Sequence, residues 1–335
     1  MRNISFSFLL LSFLGFQSCS NTNTGLNDPE TAVQRAYPEY VSELSKQIAA
    51  QPEDASLYFQ RAEKLFQEGE DTLAFVDIKE AVRLKDTDAT YYLLYGNVAY
   101  ELNEISDAQT AIKRAIELKP DFKEAYLRLA RMHYDLKDFE NANKTLEKLS
   151  DAVGEMAESY FLFGMIKKEL SDTSSSIANY QKAIALNNDY YDAYMQLGLL
   201  LGAQENKLGI DYLNNAIRLK ENSTEALYAR GKLFQDLGYY KQAVQDYDRI
   251  ITINPEYAAA YYNVGWINFR VEKFEPAIEY FNKAIIADET YADAYYMRGL
   301  SHQAIGNNTE AKRNYEACLK VNPEHKRAKE MLGGM

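Results

Sequence analysis

The sequence predicts an all-α chain, an α-solenoid of eight helix–turn–helix units with one extra helix at each end. Three observations carry that prediction. A small residue returns every 34 positions, with one 33-residue step, at Ala62, Gly96, Ala130, Gly164, Gly198, Gly231, Gly265 and Gly299. A side chain is missing at such a place because two helices cross there at close range. Apolar residues keep helical spacing: in residues 258–291, Tyr261 and Val264 in the first segment and Phe281 in the second lie on apolar stripes. The composition agrees, with 27 Tyr but only 7 Pro among 335 residues and 47% hydrophobic residues, as expected of packed helices with amphipathic aromatic faces. One such helix pair cannot cover both of its apolar faces, and only a neighbour on each side can, so the pairs must form an array.

The chain opens with a targeting segment at residues 1–18, in which Arg2 supplies the positive start and Ile4 to Phe16 form an uncharged, Phe- and Leu-rich run. A bilayer-spanning helix needs about 20 apolar residues, so this run is too short to be one. Ser18 precedes Cys19, and the polar, uncharged Ser20, Asn21, Thr22, Asn23 and Thr24 follow. The stretch resembles a bacterial lipoprotein signal, although Phe16 stands where that signal usually has Leu. The alternative is an ordinary secretory signal with an incidental cysteine. The resemblance implies that residues 1–18 are removed and that Cys19 carries the acyl chains, each buried methylene contributing about 0.8 kcal/mol. Residues 19–36 would then be a lipidated flexible tether spanning roughly 20–25 Å. Ser20 rather than Asp after the cysteine implies the outer membrane. The lack of an acidic run before Asp28 favours its periplasmic face.

Residues 37–52 read as an N-terminal capping helix, with Val41, Leu44 and Ile48 on one face and Pro52 beyond its end. Eight units follow, at 55–88, 89–122, 123–156, 157–190, 191–223, 224–257, 258–291 and 292–325. The recurring Gly or Ala is the eighth place of each. The second helix begins with another small residue: Ala74, Ala108, Ala142, Ser176, Gly209, Ala243, Ala277 and Ala311. Further along come Ala81, Ala115, Leu149, Ala183, Ala216, Ile250, Ala284 and Cys318, and Pro120, Pro255 and Pro323 stand where helices must stop. This pattern is similar to that of tetratricopeptide repeat (TPR) proteins over residues 55–325. The resemblance implies a right-handed superhelix whose first helices line a concave inner face. Leu149 replaces a small residue, and Ser150 to Gly154 are expected as a softer joint. Unit 191–223 is one residue short, in the turn around Gln204 to Lys207, and one of Ser174, Ser175 and Ser176 is expected to cap a helix. Residues 326–335 should form a C-terminal capping helix.

Little in the chain points to reaction chemistry. The net charge of -12 argues against nucleic acid as a partner. The two cysteines, Cys19 and Cys318 at opposite ends, make neither a disulfide framework nor a metal-ligand cluster, and Cys318 holds a small-residue place between helices, where a buried thiol is expected. His133, His302 and His325 lack metal-ligand spacing, and no glycine-rich phosphate loop occurs. His133 and His302 share one repeat position and are expected to be packing residues. The reading is therefore of a non-enzyme with no metal and no cofactor.

The candidate site lies on the first helices, whose second, fifth, ninth and twelfth places line the inner face in the family. The fifth place is apolar throughout: Phe59, Leu93, Leu127, Phe161, Met195, Tyr228, Tyr262 and Tyr296. Packing between helices competes with binding for these residues. Tyr228, Tyr262, Trp266, Phe269 and Tyr296 form the best candidate partner-binding groove, joined by Phe161 and by the cations Lys232 and Arg131; Trp and Tyr in a concavity make good anchors. Glu124, Glu158, Asp192, Glu225 and Asp293 outnumber the cations, which suits a hydrophobic partner segment with some basic character. The carboxylate clamp of chaperone-binding members is absent, since no Lys holds the fifth place and Asn97 and Asn263 alone cannot form it. The expected role is a non-enzymatic lipoprotein scaffold holding envelope proteins or peptides, as in secretion, pilus or wall-enzyme assembly. The alternative is a glycan- or peptidoglycan-binding lipoprotein. Homo-oligomerisation is not indicated.

Overall fold

The structure, a computed structural model, describes residues 37–335; the segment before Tyr37, with Cys19 and the expected tether, lies outside the described residues. The described residues form α-helices, one 3-10 turn at Glu39–Val41, and no strand. None of these helices is long and apolar enough to cross a membrane. The chain divides into two compact units at Gly154. The first holds α1 (Ser42–Ala50) and three pairs: α2 (Ala55–Glu68) with α3 (Asp71–Leu84), α4 (Ala89–Glu101) with α5 (Ile105–Leu118), and α6 (Lys123–Asp135) with α7 (Phe139–Val153). The second holds α8 (Ala157–Glu169), α9 (Thr173–Leu186), α10 (Tyr191–Gly202), α11 (Leu208–Leu219), α12 (Thr224–Asp236), α13 (Tyr240–Ile253), α14 (Ala258–Arg270), α15 (Phe274–Ala287), α16 (Ala292–Ala304), α17 (Asn308–Val321) and α18 (Lys326–Gly333). Within each unit consecutive helices pack antiparallel as pairs and pair packs on pair, which is the solenoid arrangement.

Local chemistry sets the helix ends. Asp54, Asp88, Asp138 and Asp172 accept hydrogen bonds from the backbone N–H groups of Ser56, Thr90, Asn141 and Ser175 and so cap α2, α4, α7 and α9. The cap of α9 is thus Asp172 and not one of the three serines, because the carboxylate lies one residue outside the first turn. Ser176 acts across the pair instead, its Oγ donating to the Gly164 carbonyl at 2.8 Å. Residues 150–153 continue α7, so the expected joint shrinks to the short link begun by Gly154 at φ 90°. Inside every pair the chain turns through one residue of positive φ: Gly69, Asn103, Lys137, Ser171, Glu205, Gly238, Glu272 and Gly306. The carbonyls of the preceding helix are closed over it, as where Asp138 N–H donates to His133 O at 2.8 Å and Lys137 N–H to Tyr134 O at 2.9 Å.

The recurring glycines make room for large second-helix side chains, rings at Gly164, Gly231, Gly265 and Gly299 and the aliphatic Ile112 and Leu213 at Gly96 and Gly198. A Cβ on Gly164 or Gly299 would lie 2.6 Å from the ring of Tyr180 or Tyr315, and one on Gly265 would lie 2.8 Å from Phe281. At the two pairs with Ala in that place, Ala62 and Ala130, the corresponding second-helix residues are the aliphatic Ile78 and Leu146. Arginines at the seventh place tie neighbouring pairs together. Arg230 binds Asp246 on its own pair at 2.9 and 2.6 Å and Asn214 on the preceding pair at 2.6 Å; Arg298 binds Asn314 and Asn282 in the same way. In the first unit Arg61 holds Asp77 at 2.6 and 2.8 Å and Ser45 of α1 at 2.9 Å, with the Tyr37 ring 3.7 Å from the guanidinium. The Arg61 and Asp77 side chains are 7% and 1% exposed, so removing either would leave a buried charge unpaired at a cost of roughly 3–5 kcal/mol.

Candidate functional site

First helices of successive pairs touch directly, α10 with α12 and α14 with α16, which makes them the tighter side of the second unit's stack. Between α10 and α12 this side opens into a cavity of about 430 Å³. Gly198, Leu213 and Leu233 form its buried part; Leu199, Gly202 and Ala203 line it from α10 and its end, and Thr224, Tyr228, Ala229 and Lys232 line it from α12. Tyr257 and the carboxylates of Glu225 and Asp236 complete the lining. Gly202 sets this unit apart from the others. The twelfth place holds Phe66, Tyr100, Tyr134, Lys168, Gln235, Phe269 and Gln303 in the other units, but Gly202 here. A Cβ on Gly202 would meet nothing nearer than Leu233 Cδ2 at 3.6 Å, an ordinary contact, so a methyl group fits there without a clash. The shortened turn draws α11 close, and a Cβ on Gly209 would lie 2.9 Å from the Gly198 carbonyl oxygen.

Two of the sequence-predicted residues meet in this cavity. Tyr228 lines it, and its hydroxyl accepts from Asn263 Nδ2 at 3.2 Å; Lys232 lines it and pairs with Asp236 one helical turn on. Most of the fifth-place aromatics spend their faces on packing. Phe161 lies against Tyr180 and Tyr190, Tyr228 against Tyr247 and Tyr257, and Tyr262 against Phe281 and Tyr291, with centroid separations of 5.0–5.9 Å. Burial pushes the Tyr262 phenol up to about 12. Tyr296 is 8% exposed, held between Tyr315 and His325, and so corrects the expectation that it is open to a partner. The physical reason is the C-terminal cap: His325 accepts from Ala328 N–H at the start of α18, bonds Asp293 at 3.1 Å and lays its ring on Tyr296.

The twelfth place is likewise tied to the core. The buried hydroxyl of Tyr247 donates to Gln235 at 3.0 Å and that of Tyr315 to Gln303 at 2.7 Å, whereas opposite Phe281, which has no hydroxyl, the place is filled by Phe269. Trp266 is half-buried, edge-on to Tyr240 at 6.3 Å, with the Arg270 guanidinium 5.5 Å from its ring. Arg131 belongs to the first unit, where it bonds Asp135 at 3.0 Å and lies 5.4 Å from the Tyr134 ring. Sequence reading missed Gly202, Asn263 and Tyr257 as contributors. The signal for Gly202 was present, a glycine where seven other units carry a long side chain. Burial raises the Cys318 thiol to about 11 and lowers His133 and His302. Among the described residues no cluster of His, Cys, Asp and Glu could hold a metal ion.

Models of the tetratricopeptide repeat match residues 93–152 and 228–292 and, in a second form, residues 157–190 and 292–325, together more than half of the chain. The chain belongs to the tetratricopeptide repeat family. Among curated proteins this TPR chain is 36% identical over 69 residues to tetratricopeptide repeat protein 6 of Homo sapiens, a match covering 21% of this chain and 13% of the relative. It is 31% identical over 89 residues, 26% of the chain, to a UDP-N-acetylglucosamine–peptide N-acetylglucosaminyltransferase of Giardia intestinalis, of which it spans 6%. The chain thus matches only a small part of either relative's length. Among solved structures, the C-terminal part of a TPR repeat-containing protein from Cytophaga hutchinsonii superposes with a TM-score of 0.61 at 19% identity, covering 71% of this chain and 98% of that one. Pseudomonas aeruginosa pilF gives 0.51 at 13% identity, covering 64% and 97%. These likenesses bear on the fold alone.

Proposed function

We propose that this TPR protein is a non-enzymatic scaffold of the bacterial cell envelope, lipid-anchored through Cys19 at the periplasmic face of the outer membrane and holding envelope proteins or peptides along its first helices. The cavity between α10 and α12 carries the reading: it joins apolar lining, a Tyr and ionised side chains on the side of the solenoid where first helices meet, and it has the size of sites that seat part of a partner. TPR proteins bind protein and peptide partners, and the fold supplies the array such binding uses. The glycan alternative needs open ring faces, and those of Tyr228, Tyr262 and Tyr296 lie against neighbouring rings.

Two experiments test the proposal. Affinity purification of the full chain from detergent-solubilised envelopes should yield a defined set of proteins, and Trp266→Ala combined with Tyr262→Ala should deplete it. An unchanged set from a folded double variant would reject the scaffold reading for this surface. Cys19→Ser should move the protein from the membrane fraction to the soluble periplasmic fraction, and retention in the membrane would reject the lipid anchor.

A further inference from the structure

We infer that the gap at Gly202 is a specificity pocket that seats one branched or aromatic side chain of a partner segment carrying positive charge beside it. This rests on the scaffold reading and narrows it to one place and one chemistry. The place is set by Gly202. Every other unit carries a long side chain at its twelfth place, buried or half-buried in all but the exposed Lys168, and a Cβ here would meet Leu233 at ordinary contact distance, 3.6 Å to its Cδ2. The void of about 430 Å³ has a buried floor, where Leu213 and Leu233 are 1% and 3% exposed. Its mouth is apolar on the α10 side, where Leu199 is 38% exposed, a large aliphatic side chain left in solvent. An occupant that covers Leu199 while entering the gap removes apolar surface from water on both partners.

The charge at the mouth selects what stands beside that side chain. Lys232, the cation of the lining, is committed to Asp236, and so contributes no net charge of its own. Glu225 is exposed and has no ion pair among the described residues, leaving one uncompensated carboxylate at the rim. A lysine or arginine next to the inserted side chain would complete it, whereas an acidic neighbour would be repelled by Glu225 and Asp236 alike.

Purified full-length protein is titrated with short fluorescein-labelled peptides having a central Leu, Ala or Glu flanked by lysines, and with a Leu-centred peptide flanked by glutamates. The lysine-flanked Leu peptide should bind, the Ala peptide should bind about tenfold or more weakly, and the glutamate-flanked peptide should not bind. Gly202→Phe, which restores the bulk seen in other units, should abolish binding, and Gly202→Ala should weaken it. Because the added methyl of Gly202→Ala meets Leu233 at 3.6 Å, that variant keeps the native melting temperature even if Gly202→Phe does not fold. Glu225→Gln should weaken the lysine-flanked Leu peptide several-fold and flatten its salt dependence. The pocket is rejected if wild-type protein binds none of these peptides, if Leu and Ala centres bind alike, or if Gly202→Ala changes nothing. Any of those results leaves the scaffold reading to its own test, depletion of envelope proteins by the Trp266 and Tyr262 substitutions.

Discussion

At the scale of the residue, the repeat is a set of complementary volumes. Gly265 leaves room for Phe281 and Ala130 stands opposite Leu146; every ring at this second-helix place faces a glycine, while aliphatic residues face Gly or Ala. Gly265→Val should cost about 1–3 kcal/mol in urea unfolding, because its side chain must displace the Phe281 ring. Combining Gly265→Ala with Phe281→Leu, which copies the third pair, should cost less than the sum of the two single changes; strict additivity would show that the two positions do not share space. The small residues were legible in the sequence because they recur in phase, but the residue each one faces was not, since periodicity marks where room is needed without saying what fills it. For the same reason the Arg61–Asp77 and Arg230–Asp246 pairs went unread: one partner lies on each helix of the pair. The buried histidines give a prediction in pH. Burial lowers the folded-state values of both His133 and His302 below 6.5, with the nearby Asp138 partly opposing this for His133, and His302 Nδ1 is buried without a hydrogen-bond partner. Below pH about 6.5 the unfolded chain takes up protons that the folded chain declines, so stability present above that pH is lost as the pH falls toward the folded values. The melting temperature should drop between pH 7 and 5, and His133→Gln with His302→Gln should flatten that slope.

At the scale of the element, each helix pair needs a cover, and the last one is covered by eight residues. Helix α18 rests on the core around Tyr296, Tyr315 and Cys318 through Ala328, with His325 as its first anchor. Deleting residues 324–335 should expose Cys318, now fully buried, to thiol reagents under native conditions, while the intact chain reacts only on unfolding. Equal labelling of both forms would mean that α18 covers nothing essential. That a capping helix was needed could be read from the array itself. That it would close over Tyr296, removing a candidate anchor from the groove, depended on the ring of His325, which sequence reading had set among histidines without a role. The cap of α9 and the continuation of α7 to Val153 were likewise misjudged by a turn or less, since carboxylate capping and helix fraying are decided by a single hydrogen bond.

At the scale of the whole molecule, the stack divides into two units, each with cores of its own: the clusters around Leu65 and Ile112 in the first, and those around Tyr247 and Phe281 in the second. Residues 155–335 expressed alone should therefore melt cooperatively with native helical circular dichroism and bind the lysine-flanked Leu peptide as the full chain does. A fragment that melts without a transition would show that the second unit needs the first to fold. The array was legible in the sequence, but the break after Gly154 was readable only as a softening of the pattern near Leu149. The turns inside the pairs bear on the chain as a material. Five of its eight left-handed hinges, at Asn103, Lys137, Ser171, Glu205 and Glu272, carry a side chain where glycine would sit without steric penalty. The protein thus keeps unused tolerance to heat distributed along its length, open to single-codon changes that would leave every helix face and the Gly202 gap untouched.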